Sequence, residues 1–147
     1  MDSDWAGDID HGRSTSSYVF TMFGGAISWM SKQQHVVALS TTEAEYMAAT
    51  HDYKEAIWLR RLCSDICVDA RKITISCDSQ SAIRLAKNPT FHARTKHIDV
   101  QFHFVRDMVE DGKVNLEKVD TAKNVADALT KLVDTLSLML LCCQLDL

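Results

Sequence analysis

Apolar and polar positions recur along this chain with two different periods, and the changes of period mark out its elements. Tyr18 to Met22 and Ala26 to Trp29 are β-prone runs separated by Phe23, Gly24 and Gly25, which predicts a hairpin. The period then lengthens: Ala44, Met47, Ala48 and His51, followed by Trp58, Leu62 and Ile66, fall near one face of a helix predicted from Thr41 to Cys67. Lys72 to Cys77 is a short β-branched strand ending at Asp78. Ser79 to Lys87 reads as a helix with Ala82, Ile83, Leu85 and Ala86 inward, stopped by Asn88 and Pro89. Ile98, Phe102, Val105 and Val109 predict a third helix up to Asp111 and Gly112. Val114 to Val119 alternates like a half-buried strand, and Asn124 to Lys131 predicts a last helical turn or two. With a short first strand in Met1 to Gly7, this order predicts an α/β domain, a mixed β-sheet flanked by helices.

The start of the long helix carries candidate chemistry. Ser40 followed three residues later by Glu43 is a capping box, in which each side chain satisfies an orphan N–H of the first turn. Glu43 then has a structural task and Glu45 is left to face a site. Thr42 with Glu45 fits the same pattern in a second frame, which would reverse those roles. Asp78 stands at the C-terminal edge of a strand, where open α/β sheets hold ligands.

Composition narrows the class. The 147 residues suffice for one domain with a core, and 46% apolar with 24% charged residues is a globular balance. A formal net charge of -4 argues against holding nucleic acid by bulk electrostatics. It leaves room for a metal enzyme, because carboxylates gathered around cations are neutralised when the site fills. Cysteines at 63, 67, 77, 142 and 143 are odd in number and lack a Cys-x-x-Cys pair, which points to a reduced, intracellular setting and to small buried apolar roles. Trp5 and Trp29 are expected to be packed at least in part. Residues 134–147 form an apolar tail of uncertain structure, too short for a membrane span of roughly 20 residues, so no membrane partner is expected.

Five motifs in order, D-S-D-W-A-G, S-T-T-E-A-E-Y-M-A, C-D-S-Q-S-A-I, A-R-T-K-H-I-D-V and V-A-D-A-L-T-K, closely resemble the ribonuclease H domain of copia-type plant retrotransposon Pol polyproteins. The resemblance runs from Asp2 to about Val133, which sets the expected domain at 1–133, its first strand shortened at the N-terminus. It implies a ribonuclease H-like fold and an endonuclease that cuts the RNA strand of RNA–DNA hybrids during reverse transcription. It also implies an acidic cage of Asp2, Glu45, Asp78 and Asp127, acting as metal ligands and catalytic residues for two Mg2+ ions, with Mn2+ able to substitute. Asp2 would bridge both ions, Glu45 and Asp78 would serve one, and Asp127 the other. Ser79, Gln80, Arg94, Lys96 and His97 are the candidate contacts to the hybrid. The expected partners are the hybrid and the reverse transcriptase domain of the same polyprotein, in the cytoplasm within a virus-like particle or in the nucleus; the oligomeric state is not specified. The alternative is a catalytically inactive, truncated domain acting as a binding or interaction module. A first strand lacking its early ladder partners is expected to fray, loosening Asp2.

Overall fold

The computed structural model describes residues 1–8, 10–68, 73–87, 105, 107–112 and 114–131. Arg94, Lys96, His97, most of the predicted third helix and the tail 134–147 lie outside the described residues.

Strands β1 (Asp2–Asp4), β2 (Thr15–Met22) and β3 (Gly25–Gln33) form an antiparallel sheet, with Asp2 opposite Ser17 and Met22 opposite Gly25. The hairpin is tighter than the sequence suggested. Its loop is Phe23 and Gly24 alone, both at positive φ (55° and 85°), the two-residue turn whose twist matches the strands it joins. Register slips by one between Phe20 and Thr21, because Ser28 pairs with Phe20 and Ala26 with Thr21, and Ile27 is left over as a bulge.

Helix α1 (Thr41–Asp65) opens in the Ser40 frame: the Ser40 hydroxyl accepts the Glu43 N–H at 3.2 Å. The Glu43 carboxylate reaches one residue further back than in a standard box and accepts from Leu39 N at 2.8 Å. The helix stops just short of the expected Cys67. Cys67 sits at φ 58°, its N–H bonding to Ser64 O and that of Val68 to Cys63 O, the left-handed cap that usually takes glycine.

The inward face of α1 is not the predicted one along its second half. Trp58, Leu62 and Ile66 are 55%, 40% and 60% exposed, while Tyr46, Ala49, Tyr53, Ala56, Leu59 and Cys63 are buried. Small alanines let the helix approach the sheet closely and two tyrosines fill the remaining volume, so the largest apolar residues are not the ones nearest the core.

Beyond α1, strand β4 (Ile73–Cys77) pairs in parallel with β5 (Val114–Lys118), and α2 (Gln80–Lys87) buries Ala82, Ile83 and Ala86 as expected. Residues 107–110 are helical and end at Gly112 (φ 64°). The last predicted helix is instead two 3₁₀ segments, Thr121–Lys123 and Val125–Leu129. Long-range hydrogen bonds to other elements hold this stretch: Ser17 Oγ donates to Ala126 O at 2.7 Å and Asn124 Nδ2 to Met1 O at 2.9 Å.

The described strands form two hydrogen-bonded sheets, antiparallel β1-β2-β3 and parallel β4-β5, and the Met1 ammonium, donating to Ser76 O at 2.9 Å, links the start of β1 to β4. This is the mixed α/β architecture that the sequence predicts. Its core joins Met1, Tyr46, Tyr53, Ile75, Cys77, Ile83, Val105, Val114 and Leu116. Cys63 and Cys77 are buried and Cys67 is exposed. Trp5 is half exposed, its indole N–H donating to Ala38 O at 3.2 Å; Trp29, on the edge strand β3, is 65% exposed and not packed. Among the described residues no helix is long and apolar enough to cross a membrane.

Replacing Ser40 by alanine removes the cap of α1 and is expected to cost about 1 kcal/mol, seen as a fall of several degrees in the thermal unfolding midpoint. A larger loss on Thr42→Ala would assign the box to the other frame.

Candidate metal centre

Each of the four carboxylates expected to gather arrives from a different element. Asp2 comes from β1, Glu45 from the second turn of α1, Asp78 from the residue after β4, and Asp127 from the 3₁₀ segment 125–129. α1 packs against β1, and the Met1 ammonium reaches Ser76 O near the end of β4.

Asp2 is 4% exposed and accepts a hydrogen bond at Oδ2 from the Thr130 hydroxyl. Burial holds its pKa above the usual carboxylate value, the Thr130 bond opposes that, and the charges of Asp127 and Asp78 add to it. The fraying expected of the first strand is countered by three contacts: its ladder with β2, the Met1 ammonium on Ser76 O, and Asn124 on Met1 O.

Glu45 is 9% exposed and has one oxygen, Oε2, with no hydrogen-bond partner. Burial pushes its pKa up to about 8, aided by the charges of Asp2 and Asp78 and opposed by the Met1 ammonium and the Ser3 N–H. Ligand atoms of Glu45, Asp78 and Cys77 lie within 4.8 Å of one another. The Cys77 thiol is itself pushed up to about 12 by burial, so it stands beside the acids as a neutral group. Asp127 is partly buried, and its charge and that of Asp78 both bear on Asp2.

Two residues of this centre were not read from the sequence. Lys131 pairs with Asp127 Oδ1, and its pKa is raised first by that bond and also by the charges of Asp127, Asp2 and Asp78. Thr130 holds Asp2 from the same turn. Their signal was available, since Thr130 and Lys131 follow Asp127 at i+3 and i+4, the spacings that bring helical side chains together. Lys118 adds a second cation nearby, its ammonium donating to the Asp78 and Val119 carbonyls.

The candidate substrate contacts divide. Ser79 is committed to α2, its Oγ accepting the Ala82 N–H at 3.2 Å and its N–H directed to Cys77 Sγ at 3.3 Å. Gln80 is exposed at the first turn of the same helix, beside Asp78. Arg94, Lys96 and His97 are not among the described residues.

Chemically, among the described residues Glu45 and Asp78 come together beside Cys77, Asp2 and Asp127 stand outside that group of ligand atoms, and one buried Glu45 oxygen is unpartnered. That donor set fits hard divalent cations of the Mg2+ type, which take oxygen ligands and would satisfy the orphan oxygen of Glu45.

Over 132 residues, 90% of its length, the chain is 54% identical to the retrovirus-related Pol polyprotein from transposon TNT 1-94 of Nicotiana tabacum. It is 40% identical over 131 residues to the Pol polyprotein from transposon RE1, and 39% identical over 131 residues to that from RE2, both of Arabidopsis thaliana and both matched over 88% of this chain. These matches take in 10%, 9% and 9% of the relatives, so the chain spans about a tenth of the length of the curated proteins it resembles. Its homologues are thus plant retrotransposon Pol polyproteins. No protein-family model matches the chain, and no solved structure matches it.

A carboxyl whose pKa is raised by folding stabilises the fold while protonated. That contribution is complete below the unfolded value near 4.5 and is lost as pH climbs through about 8. The metal-free protein is therefore expected to melt at lower temperature at pH 9 than at pH 5.5. Glu45→Gln is expected to reduce that slope and to raise the midpoint at pH 9 by about 5 °C. Asp2 and Asp52, also raised, leave a residual slope of the same sign. Identical pH profiles for wild type and variant would refute the assignment.

Proposed function

Taking homology to a segment of retrotransposon Pol polyproteins as the premise, we propose that this chain is a ribonuclease H, an endonuclease that hydrolyses the RNA strand of RNA–DNA hybrids in reverse transcription. The observation that supports the reading is the closeness of Glu45 and Asp78 ligand atoms, within 4.8 Å, beside a buried Glu45 oxygen lacking a partner, with Asp2 near enough to feel the charges of Asp78 and Asp127.

In this reading Asp2, Glu45, Asp78 and Asp127 would together hold two Mg2+ ions, and Mn2+ would be able to substitute. When bound, such a pair of cations activates water and stabilises the leaving oxygen of a phosphodiester, which otherwise resists an anionic attacker. The chain's own residues prepare that arrangement. Thr130 fixes the orientation of Asp2. Burial around Glu45 removes competing water, so its carboxylate favours a cation over the ionised, unpaired state. Lys131 neutralises Asp127 beforehand and must release that oxygen for Asp127 to act as a ligand; freed, its ammonium stands where a substrate phosphate would arrive.

A hybrid lies near A-form and carries 2′-hydroxyls on one strand only, so donors beside the acids select RNA without reading sequence. Gln80 is the described residue best placed for this, and Arg94, Lys96 and His97 are proposed to track the phosphates. The reverse transcriptase domain of the same polyprotein is the proposed partner, supplying the hybrid.

The wild type is expected to cleave a labelled RNA–DNA hybrid in Mg2+ and to leave duplex DNA intact, with Asp78→Asn slower by about 100-fold or more, as for loss of a metal-site group. Equal behaviour of the two proteins would replace the enzyme with a non-catalytic binding module. Separately, Lys131→Met is expected to tighten Mg2+ binding by a few-fold in calorimetry, since the partly exposed pair that competes for Asp127 is worth up to about 1 kcal/mol. Unchanged or weaker binding would remove Lys131 from the site.

A further inference from the structure

Gln34, the residue after β3, is buried and reaches three other elements at once. Its Nε2 donates to Ser16 Oγ of β2 at 2.8 Å and to Ala44 O in the first turn of α1 at 2.9 Å, and it stands 3.4 Å from Ser3 Oγ of β1. The Gln34 backbone N–H donates to Ser14 O at 2.7 Å, which fixes the point from which the side chain extends. A carbonyl oxygen can only accept, so Ala44 O decides which end of the amide faces the helix. The other end, Oε1, is buried without a hydrogen-bond partner. An orphan oxygen of this kind lowers stability, and an apolar side chain of the same length would avoid it. What such a side chain would lose is the grip of the nitrogen.

That grip falls on the neighbours of two acids. Ala44 immediately precedes Glu45 on α1, and Ser3 immediately follows Asp2 on β1. The Ser3 N–H in turn donates to the Glu45 carboxylate, and the charge of Asp2 bears on Glu45. One amide therefore joins the start of α1 to β1 and β2 beside the two acids, without touching either carboxylate itself.

We propose that Gln34 is a positioning residue for Glu45. By tying Ala44 O to Ser16, with Ser3 alongside, it sets where the Glu45 carboxylate stands relative to Asp2 and so how well the oxygens suit a divalent cation. The proposal rests on the reading of Glu45 as a metal ligand and adds to it the group that aims that ligand. Mg2+ is the cation most sensitive to such aiming, because it demands a near-ideal octahedron of oxygens.

Gln34→Met keeps the length of the side chain and removes its donors. It is expected to weaken Mg2+ binding about 10-fold in calorimetry, the scale for a group that orients a metal ligand. It should also lower kcat for hybrid cleavage at limiting Mg2+, with kcat recovering at high Mg2+ and KM for the hybrid unchanged. Gln34→Glu, which turns an oxygen toward Ala44 O, is expected to do no better. Leu59→Ala, at a buried position on the same helix, lowers stability and is expected to leave Mg2+ affinity as it is. In the metal-free protein, exchange of the Ser3 amide relative to the amides of β4 is expected to quicken about 5-fold in Gln34→Met, the equivalent of one hydrogen bond. Wild-type Mg2+ affinity in Gln34→Met or Gln34→Glu would overturn the proposal, and so would an equal loss of affinity in Leu59→Ala. Should Gln34→Met not fold, Gln34→Asn, whose amide is retracted by one methylene, is read in the same way, with a smaller loss expected in the same direction. A wild type that binds no Mg2+ would end the nuclease reading, and unchanged Ser3 exchange in Gln34→Met would then overturn the role of Gln34 separately.

Discussion

Everything in this molecule hangs on the three residues of β1 being gripped from both sides. On one side the ladder to Ser17, Ser16 and Thr15 attaches them to the hairpin; on the other the Met1 nitrogen attaches them to β4. That double contact links the antiparallel sheet to the parallel one, and it holds Asp2 where the charges of Asp78 and Asp127 bear on it. Asn124 and Thr130 reinforce the grip from the end of the described chain, bonding to Met1 and Asp2. The same few atoms therefore set both the link between the sheets and the placing of Asp2.

The acids work against the fold that positions them. Desolvation and mutual repulsion both favour the protonated forms of Asp2 and Glu45, and neither effect is offset by a full set of hydrogen bonds. Lys131 relieves only the outer member, Asp127. A group of carboxylates built for stability alone would have been spread over the surface or given cationic neighbours. Under the proposed reading, a divalent cation would relieve this strain, and its binding and folding would be linked equilibria.

How far the residues themselves foretold this depends on whether the signal was local. The capping of α1 by Ser40 was legible because it needs only two side chains three apart, and the same frame left Glu45 free. Strand and helix order followed from periodicity and from turn residues such as Gly24 and Gly112. The inward face of α1 was misread because hydropathy favours Trp58, Leu62 and Ile66, whereas close helix–sheet contact favours alanine. The 3₁₀ form of 121–129 could not be seen in advance, because it is imposed by bonds to Ser17 and Met1 over a hundred residues away. The expected meeting of the four acids came from family resemblance, and no spacing within the sequence encodes it. The pairing of Lys131 with Asp127 was local and could have been read.

The hydrogen bonds Asn124–Met1 and Thr130–Asp2 span 123 and 128 residues of sequence. Asp2 therefore precedes Thr130, which orients it, by nearly the whole of the described chain. Closing so wide a loop is entropically costly, so this contact belongs to the late steps of folding. A folding intermediate in which residues 121–131 have not yet docked would hold Asp2 without the Thr130 bond that orients it.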